Sequence, residues 1–168
     1  MGKEVKTNAM RALDRLGIPY EYNLYDCGEF IDGAHIAALL GQPPEQSFKT
    51  LVAAGKSGGH YLFLVPVAEE LDLKKAAAAA GEKSVALIPV KELLPLTGYV
   101  RGGVSPLGMK KQFPTLIHHS AAAFPRIIIS AGRLGAQIFL SPADLCRAVG
   151  GKLADLLPHR PETDETRQ

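Results

Sequence analysis

The alternation of apolar and polar positions predicts both helices and strands along this chain. Helical spacing places Met10, Leu13 and Leu16 on one face of a segment at residues 4–16, which Gly17 ends. Further helices are predicted at 33–40, from Asp72 to Gly81, at 90–94, and from the Ser141-Pro142 pair to Gly150. Strands are predicted at 20–25, 48–54, 60–67, 84–88, 115–119, 126–130 and 136–140.

Turn-forming residues separate these segments and favour a single domain. Glycines at 55–59 lie between two strand-like runs, which indicates a hairpin. With 168 residues, of which 46% are hydrophobic, the chain is long enough for one compact domain with a sizeable core. We expect this mixed α/β domain to span residues 1–157, and the polar residues 158–168 to form a disordered tail.

Charge and cysteine content narrow the classes of protein to which the chain can belong. A formal charge of +2 and a pI near 8.5 are too mild for a general nucleic-acid binder, which usually carries a dense basic stripe. Cys27 and Cys146 lie far apart and no apolar signal opens the sequence, so we expect a cytoplasmic protein with reduced thiols. The longest apolar stretches fall far below the roughly 20 residues that a membrane-spanning helix needs.

Lys49 is a charged residue inside a segment that otherwise has the pattern of a core strand. Because side chains alternate along a strand, it shares a face with Leu51 and Ala53. Burying an ammonium group costs free energy unless it has a partner, so Lys49 reaches a buried partner or an anionic ligand, or extends from the strand end to water. These interpretations stay open for this segment alone.

Two glycine-rich loops in the second half of the chain are suited to bind an oxyanion or a phosphate. The first, at 98–108, has glycines whose bare backbone can approach a ligand and a proline, Pro106, that stiffens it. The second, at 130–135, has Ser130 at a strand end and Arg133, whose guanidinium can pair with a phosphate. An ordinary hairpin turn is the alternative for this second loop.

Motif spacing excludes several familiar chemistries. Neither Ser105 nor Ser130 has both glycines of the G-x-S-x-G elbow of serine hydrolases. Residues 103–108 have the glycine frame of a phosphate loop, but Met109 stands where lysine must follow. The adjacent histidines at 118–119 are expected to point to opposite faces of a strand, and no cysteine or carboxylate lies at ligand spacing, so no metal site is predicted.

Four segments, taken in this order and spacing, resemble the YbaK/EbsC family: FKTLV at 48–52, LDLKK at 71–75, the loop at 98–108, and SAGR at 130–133. That family comprises free-standing aminoacyl-tRNA deacylases similar to the editing domain of bacterial prolyl-tRNA synthetases. The chain looks most like its YbaK branch, the Cys-tRNA(Pro) deacylases. The resemblance implies a mixed α+β fold with a mostly antiparallel or barrel-like sheet surrounded by helices.

The resemblance also implies roles for individual residues. Lys49 matches the lysine that members of the branch require for activity, and the loop at 102–106 matches a G-x-x-x-P element that cradles the terminal adenosine and the ester. Tyr25 and Phe30 match pocket aromatics, although ordinary core positions are the alternative for both. The expected substrate-binding residues are Tyr25, Phe30, Thr50, Gly102, Gly103, Val104, Ser105, Pro106, Ser130, Gly132 and Arg133, with Lys49 as the catalytic residue.

The implied reaction needs neither a protein nucleophile nor a cofactor. For a cysteinyl ester, the substrate's own thiol attacks its carbonyl and releases a thiolactone, while Lys49, the loop amides and Ser130 position the ester. The implied partners are the acceptor end of an aminoacyl-tRNA and prolyl-tRNA synthetase, and the oligomeric state is left open. Two alternatives remain: water attack on Ala-tRNA(Pro), and a non-catalytic module that binds the tRNA end and docks on the synthetase.

Overall fold

The computed structural model describes residues 6–26 and 32–159. Its α-helices are α1 (Asn8–Leu16), α2 (Gly33–Leu40), α3 (Leu73–Ala80), α4 (Leu93–Thr97) and α5 (Pro142–Val149). Its strands are β1 (Glu21–Leu24), β2 (Phe48–Gly55), β3 (His60–Pro66), β4 (Val85–Leu87), β5 (Thr115–His118), β6 (Ile127–Ser130), β7 (Ala136–Leu140) and β8 (Lys152–Ala154). Two 3₁₀ turns lie at Val90–Glu92 and His119–Ala123.

Short-range signals in the sequence set most of the helix ends. Four side chains each accept a hydrogen bond from the N–H three residues further on, and so begin α1, α2, α3 and α5: Thr7, Asp32, Asp72 and Ser141. The same helices end at glycines in the left-handed conformation: Gly17, Gly41, Gly81 and Gly150. The predicted bounds of 33–40 are therefore confirmed, as is the stop at Gly150.

Two predicted helices differ from those in the structure. Among the described residues α1 begins at Asn8 rather than at residue 4, and Leu16, in its last turn, is 56% exposed instead of joining the buried face. The helix predicted at 90–94 is a 3₁₀ turn followed by α4, which continues to Thr97. In both places the apolar pattern located the helix but did not set its first residue, because the start of a helix depends on capping and packing.

Two open sheets carry the fold. The three-stranded sheet has the order β1-β7-β6 and is antiparallel throughout. The five-stranded sheet has the order β4-β2-β3-β5-β8, in which β2 pairs antiparallel with β3 and β4 while β3-β5 and β5-β8 are parallel. The mixed α/β class and the β2–β3 hairpin are confirmed, but the sheets do not close into a barrel. The sequence did not predict β8, because its mostly exposed residues show no alternation.

The two sheets meet just before β2. Ser47 forms an isolated parallel bridge with Ile128 of β6, and the Ile128 N–H donates to the carbonyl of Gln46 at 3.0 Å. Helices α1 and α5 contribute the fully buried Met10 and Leu145 to one core cluster with the apolar residues of β6 and β7. Beyond the Ser47–Ile128 bridge the two strands no longer pair, which leaves a cleft between the sheets.

The two glycine-rich loops pack directly against each other. A Cβ atom on Gly103 would lie 2.9 Å from the Cα of Arg133. A Cβ atom on Gly132, which has a left-handed φ of +103°, would lie 2.9 Å from the ring of Tyr99. The Tyr99 hydroxyl donates to the carbonyl of Leu107, and burial raises the pKa of Tyr99 to about 12. Both glycines are therefore needed for the loops to approach.

His118 and His119 do not point to opposite faces, which corrects the prediction from alternation. β5 ends at His118 and a 3₁₀ turn begins at His119, so the ring centroids lie 4.3 Å apart. With Asp155 they bring possible metal ligands within 4.8 Å of one another. However, His118 Nδ1 accepts from the Leu156 N–H at 3.1 Å and Asp155 pairs with Lys75 at 3.0 Å. His118 and Asp155 therefore already make contacts that join β5 and α3 to the segment after β8.

The chain ends are only partly described. Pro158 and His159 are exposed and have no regular structure, and residues 160–168 lie outside the described ranges. The domain boundary at 157 and the disordered tail therefore remain predictions. None of the helices in the described ranges is long and apolar enough to cross a membrane.

We predict that Gly103→Ala destabilises the domain by about 1–3 kcal/mol, because the new methyl group would overlap the backbone of Arg133. Gly59→Ala is the matched control, since a Cβ there meets nothing closer than 3.5 Å. Urea denaturation of the two variants measures the difference. Equal unfolding free energies for both would contradict the direct packing of the loops.

We predict that the domain loses stability through His118 as the pH falls below about 6.5. Burial, and then the charge of His119, lowers the pKa of His118, so the unfolded chain takes up a proton at higher pH than the folded chain. This contribution is complete above the unfolded pKa and is lost as the pH falls through the folded pKa. Urea denaturation between about pH 7.5 and about pH 5.5 should show a smaller loss for His118→Gln than for wild type or His159→Gln. An unchanged loss in His118→Gln would rule this out.

Candidate functional site

A cavity of about 410 Å³ opens in the cleft between the two sheets. Its walls come from β2, β6, β7, the first half of α2, and two connecting segments. The lining residues are Tyr25, Asp32, Gly33, Ile36, Ala37, Ser47, Phe48, Lys49, Thr50, Leu51, Val52, Val67, Leu87, Ile88, Val90, Leu93, Arg101, Gly102, Val104, Ile128, Ile129, Ser130, Ala136 and Gln137. The volume lies within the range of cavities that hold small ligands or cofactors.

Lys49 lies on the β2 wall of this cavity and is half-buried. Within the described residues its ammonium group makes no hydrogen bond and no ion pair. Burial lowers the pKa of Lys49 from its usual value, while the charges of Glu70, Asp32 and Glu69 act in the opposite direction. The cation is thus held in a partly dry site where a ligand anion or carbonyl can reach it.

The first glycine-rich loop reaches the cavity through Arg101, Gly102 and Val104. The N–H groups of Gly102 and Val104 donate to no group of the described residues, so both are available to a ligand. Gly103 differs, because its N–H donates to the carbonyl of Val100 at 2.8 Å and its Cα faces Arg133. Gly103 therefore packs between the two loops and does not line the cavity.

Ser105 and Pro106 lie behind that wall. Ser105 is fully buried, and its Oγ accepts a hydrogen bond from the Leu107 N–H at 3.2 Å. Pro106 is buried as well, and neither residue lines the cavity. Both shape the loop that presents Gly102 and Val104.

In the second loop, Ser130 is the residue that faces the cavity. Its Oγ accepts from the Gly132 N–H at 3.0 Å, which leaves the hydroxyl proton free to donate. Gly132 and Arg133 lie outside the cavity. Arg133 instead lines a shallow depression next to it, together with Tyr25, which borders both.

Two hydroxyl groups in the cavity wall are buried and have no hydrogen-bond partner among the described residues. They are Ser47 Oγ and Thr50 Oγ1, one on either side of the start of β2. A buried hydroxyl without a partner costs free energy, and such groups often mark a site that a ligand or water completes. Thr50 was predicted from sequence, whereas Ser47 carried no signal there.

Sequence reasoning also missed Asp32 and Gln137. Asp32 could have been found as the residue preceding a helix, but nothing in its spacing links it to Lys49. Gln137 lines the cavity and exchanges two hydrogen bonds with the side chain of Gln42, both of 3.0 Å. That pair joins the end of α2 to β7, which only the tertiary structure reveals.

The cysteines take no part in the described site. Cys146 lies on α5 away from the cavity, and burial raises the pKa of its thiol. Cys27 and the predicted pocket residue Phe30 lie outside the described residues. No histidine or cysteine is among the described residues that line the cavity, so these residues provide no serine or cysteine triad.

The described wall thus offers the cations of Lys49 and Arg101 and an apolar side formed by Ile88, Val90 and Leu93. It also offers hydroxyls and amides that have no hydrogen-bond partner among the described residues. Such a set can hold a polarised carbonyl or a phosphate next to an apolar group. It favours chemistry in which the protein positions a reactive substrate and stabilises charge, without supplying a nucleophile.

Comparison with known proteins agrees with this arrangement. The aminoacyl-tRNA editing domain family matches residues 32–148. A protein of Enterococcus faecalis named "Putative Cys-tRNA(Pro)/Cys-tRNA(Cys) deacylase EbsC" is 41% identical over 152 residues, which cover 90% of this chain and 93% of that protein.

Solved structures share the fold over nearly the whole chain. One, described as a "putative trans-editing enzyme for prolyl tRNA synthetase", has a TM-score of 0.80 and 27% identity, covering 93% of this chain and all of that one (100%). Another, "hypothetical protein APE2540", has a TM-score of 0.83 and 25% identity, covering 90% and 100%. The resemblance predicted from sequence is confirmed, and this chain belongs to the aminoacyl-tRNA editing domain family, in its YbaK/EbsC group.

Proposed function

We propose that this protein is a trans-editing aminoacyl-tRNA deacylase that removes cysteine mischarged on tRNA(Pro). The observation that carries the proposal is Lys49, whose half-buried ammonium group has no partner among the described residues and lies in a cavity shared with Ser130 and Gly102. The name of the Enterococcus faecalis relative and the description of the trans-editing structure support the choice of substrate.

The cavity fits the end of a charged tRNA rather than its body. A volume of about 410 Å³ accommodates an aminoacyl group and part of the terminal adenosine. The apolar side at Ile88, Val90 and Leu93 suits the base or the amino-acid side chain, and Lys49 suits the ester carbonyl or a phosphate. A net charge of only +2 supports contact with the acceptor end alone, with prolyl-tRNA synthetase supplying further tRNA affinity.

The proposed reaction uses a nucleophile that the substrate brings. The cysteinyl thiol sulfur attacks the ester carbonyl carbon, a C–S bond forms, and the C–O bond to the ribose breaks. The thiol proton passes to the ribose oxygen, so the products are a cyclic thiolactone and uncharged tRNA. Lys49 and the N–H groups of Gly102 and Val104 stabilise the negative charge that develops on the carbonyl oxygen, and Ser130 orients the ester.

This scheme makes selectivity a chemical property. A pocket distinguishes substrates that differ by one methylene group by only about 1–3 kcal/mol. A requirement for the thiol excludes alanine and proline without any such fit. The activity belongs in the cytoplasm, where charged tRNAs meet the synthetase.

We predict that Lys49→Met lowers kcat/KM for Cys-tRNA(Pro) about 100-fold or more, because methionine keeps the apolar stem but removes the charge. Lys56→Met is the matched control, since Lys56 is an exposed lysine in the turn between β2 and β3. Release of amino acid from purified charged tRNA measures both. Full activity in Lys49→Met contradicts the proposed role of Lys49.

We predict that the protein releases cysteine but neither alanine nor proline from charged tRNA(Pro), and that the first product is the thiolactone. Mass spectrometry of early time points, under multiple turnover, detects it. Equal release of alanine would favour water attack. Tight binding of the charged tRNA without any release would favour a non-catalytic module.

We predict that activity above spontaneous hydrolysis declines on the alkaline side at a pH below the usual lysine pKa of 10.5. Burial lowers the pKa of Lys49, so the ammonium group loses its proton earlier than a surface lysine does. In Lys49→Arg the residual activity should keep its level through that range, because arginine stays charged. The same decline in Lys49→Arg would assign it to another group.

A further inference from the structure

Asp32 places a carboxylate in the wall of the same cavity. Among the described residues that line it, Asp32 is the only acidic one. Glu69 and Glu70 influence the charge of Lys49, but neither lines the cavity. The described wall therefore carries one anion, Asp32, together with the cations Lys49 and Arg101.

The carboxylate is fixed in orientation and in charge. Asp32 precedes α2, and its Oδ1 accepts from the His35 N–H at 2.9 Å while its Oδ2 lies 2.9 Å from His35 Nδ1. The hydrogen bond from the His35 N–H, followed by that from its ring, lowers the pKa of Asp32, so the group is ionised at neutral pH. The Asp32 side chain is still 54% exposed, and each oxygen has a further lone pair to offer.

Lys49 and Asp32 interact electrostatically but form no ion pair. Burial lowers the pKa of Lys49, and the charge of Asp32, after that of Glu70, opposes this lowering; yet no hydrogen bond or ion pair links the Lys49 and Asp32 side chains. Two opposite charges on the wall of one cavity, held apart, leave room for a group that carries both polarities. An aminoacyl ester is such a group, because its carbonyl oxygen gains negative charge while its α-ammonium, on the adjacent carbon, is positive.

We propose that Asp32 binds the α-ammonium group of the aminoacyl ester while its carbonyl faces Lys49 and the loop amides. This inference rests on the proposed function and adds a substrate-binding residue to it. The carboxylate selects for a free amino group, so it rejects esters whose amine is blocked. It also sets which side of the carbonyl faces the amides of Gly102 and Val104.

The test compares Cys-tRNA(Pro) with N-acetyl-Cys-tRNA(Pro), which has lost the cation. In the wild type, acetylation should lower kcat/KM about 10- to 100-fold, the loss expected for one charge-assisted contact. In Asp32→Asn, kcat/KM for the free-amine substrate should fall by that factor, while kcat/KM for the acetylated substrate should stay the same. The two values of kcat/KM therefore converge. Asparagine caps a helix as well as aspartate does, which keeps α2 in place.

Asp72→Asn is the matched control. Asp72 begins α3 in the same way, accepting from the Lys75 N–H at 3.0 Å, but lies outside the cavity. It should leave the ratio of the two rates unchanged. A wild-type ratio that persists in Asp32→Asn overturns the assignment, because a purely capping role would not depend on the substrate's amine.

A binding measurement separates this inference from the deacylase proposal. A cysteinyl-adenosine analogue with an amide in place of the ester cannot be cleaved, and its Kd can be compared with that of its N-acetyl form. If no charged tRNA is hydrolysed, the proposed function fails. A preference for the free amine that Asp32→Asn abolishes would still support the Asp32 site, and equal Kd values for both analogues in the wild type would reject it.

Discussion

The parallel bridge between Ser47 and Ile128 is the constraint on which the rest of the site depends. It joins the two sheets at one position, through the hydrogen bond from the Ile128 N–H to Gln46, and pairing stops immediately beyond it. Lys49 and Ser130 each lie two residues further along their own strands. Because the bridge is parallel, the two residues lie beyond it in the same direction and border the same cleft.

The protonation of Lys49 depends on two opposing effects, and no direct ion pair within the described residues contributes to it. Burial disfavours its ammonium form, and the negative charges of Glu70, Asp32 and Glu69 favour it. A direct ion pair would occupy the Lys49 ammonium group and prevent it from binding a ligand. Acidic groups at a distance favour the charged form and leave the ammonium group available.

Contact between the two glycine-rich loops positions the residues that line the cavity. Gly103 and Gly132 have no side chain because the backbone of Arg133 and the ring of Tyr99 occupy that space. Their close packing holds Gly102 and Val104 at the cavity, where their N–H groups are free within the described structure. Glycines that suggest contact with a ligand can thus act one step behind it, as supports for the residues that make the contact.

The sequence by itself determined the parts whose physics is local. The starts of α3 and α5 followed from Asp72 and Ser141, and the helix stops followed from the glycines that close them. The β2–β3 hairpin followed from its turn, and a charge within an apolar strand pattern identified Lys49 as a candidate. Only the tertiary structure decided which of the expected residues share a cavity. It brought Ser47, Asp32 and Gln137 to Lys49 and set Ser105, Pro106 and Gly103 behind the wall. It also revealed β8 and the contact between the rings of His118 and His119. These depend on contacts between distant segments, which no local pattern of apolar and polar residues encodes.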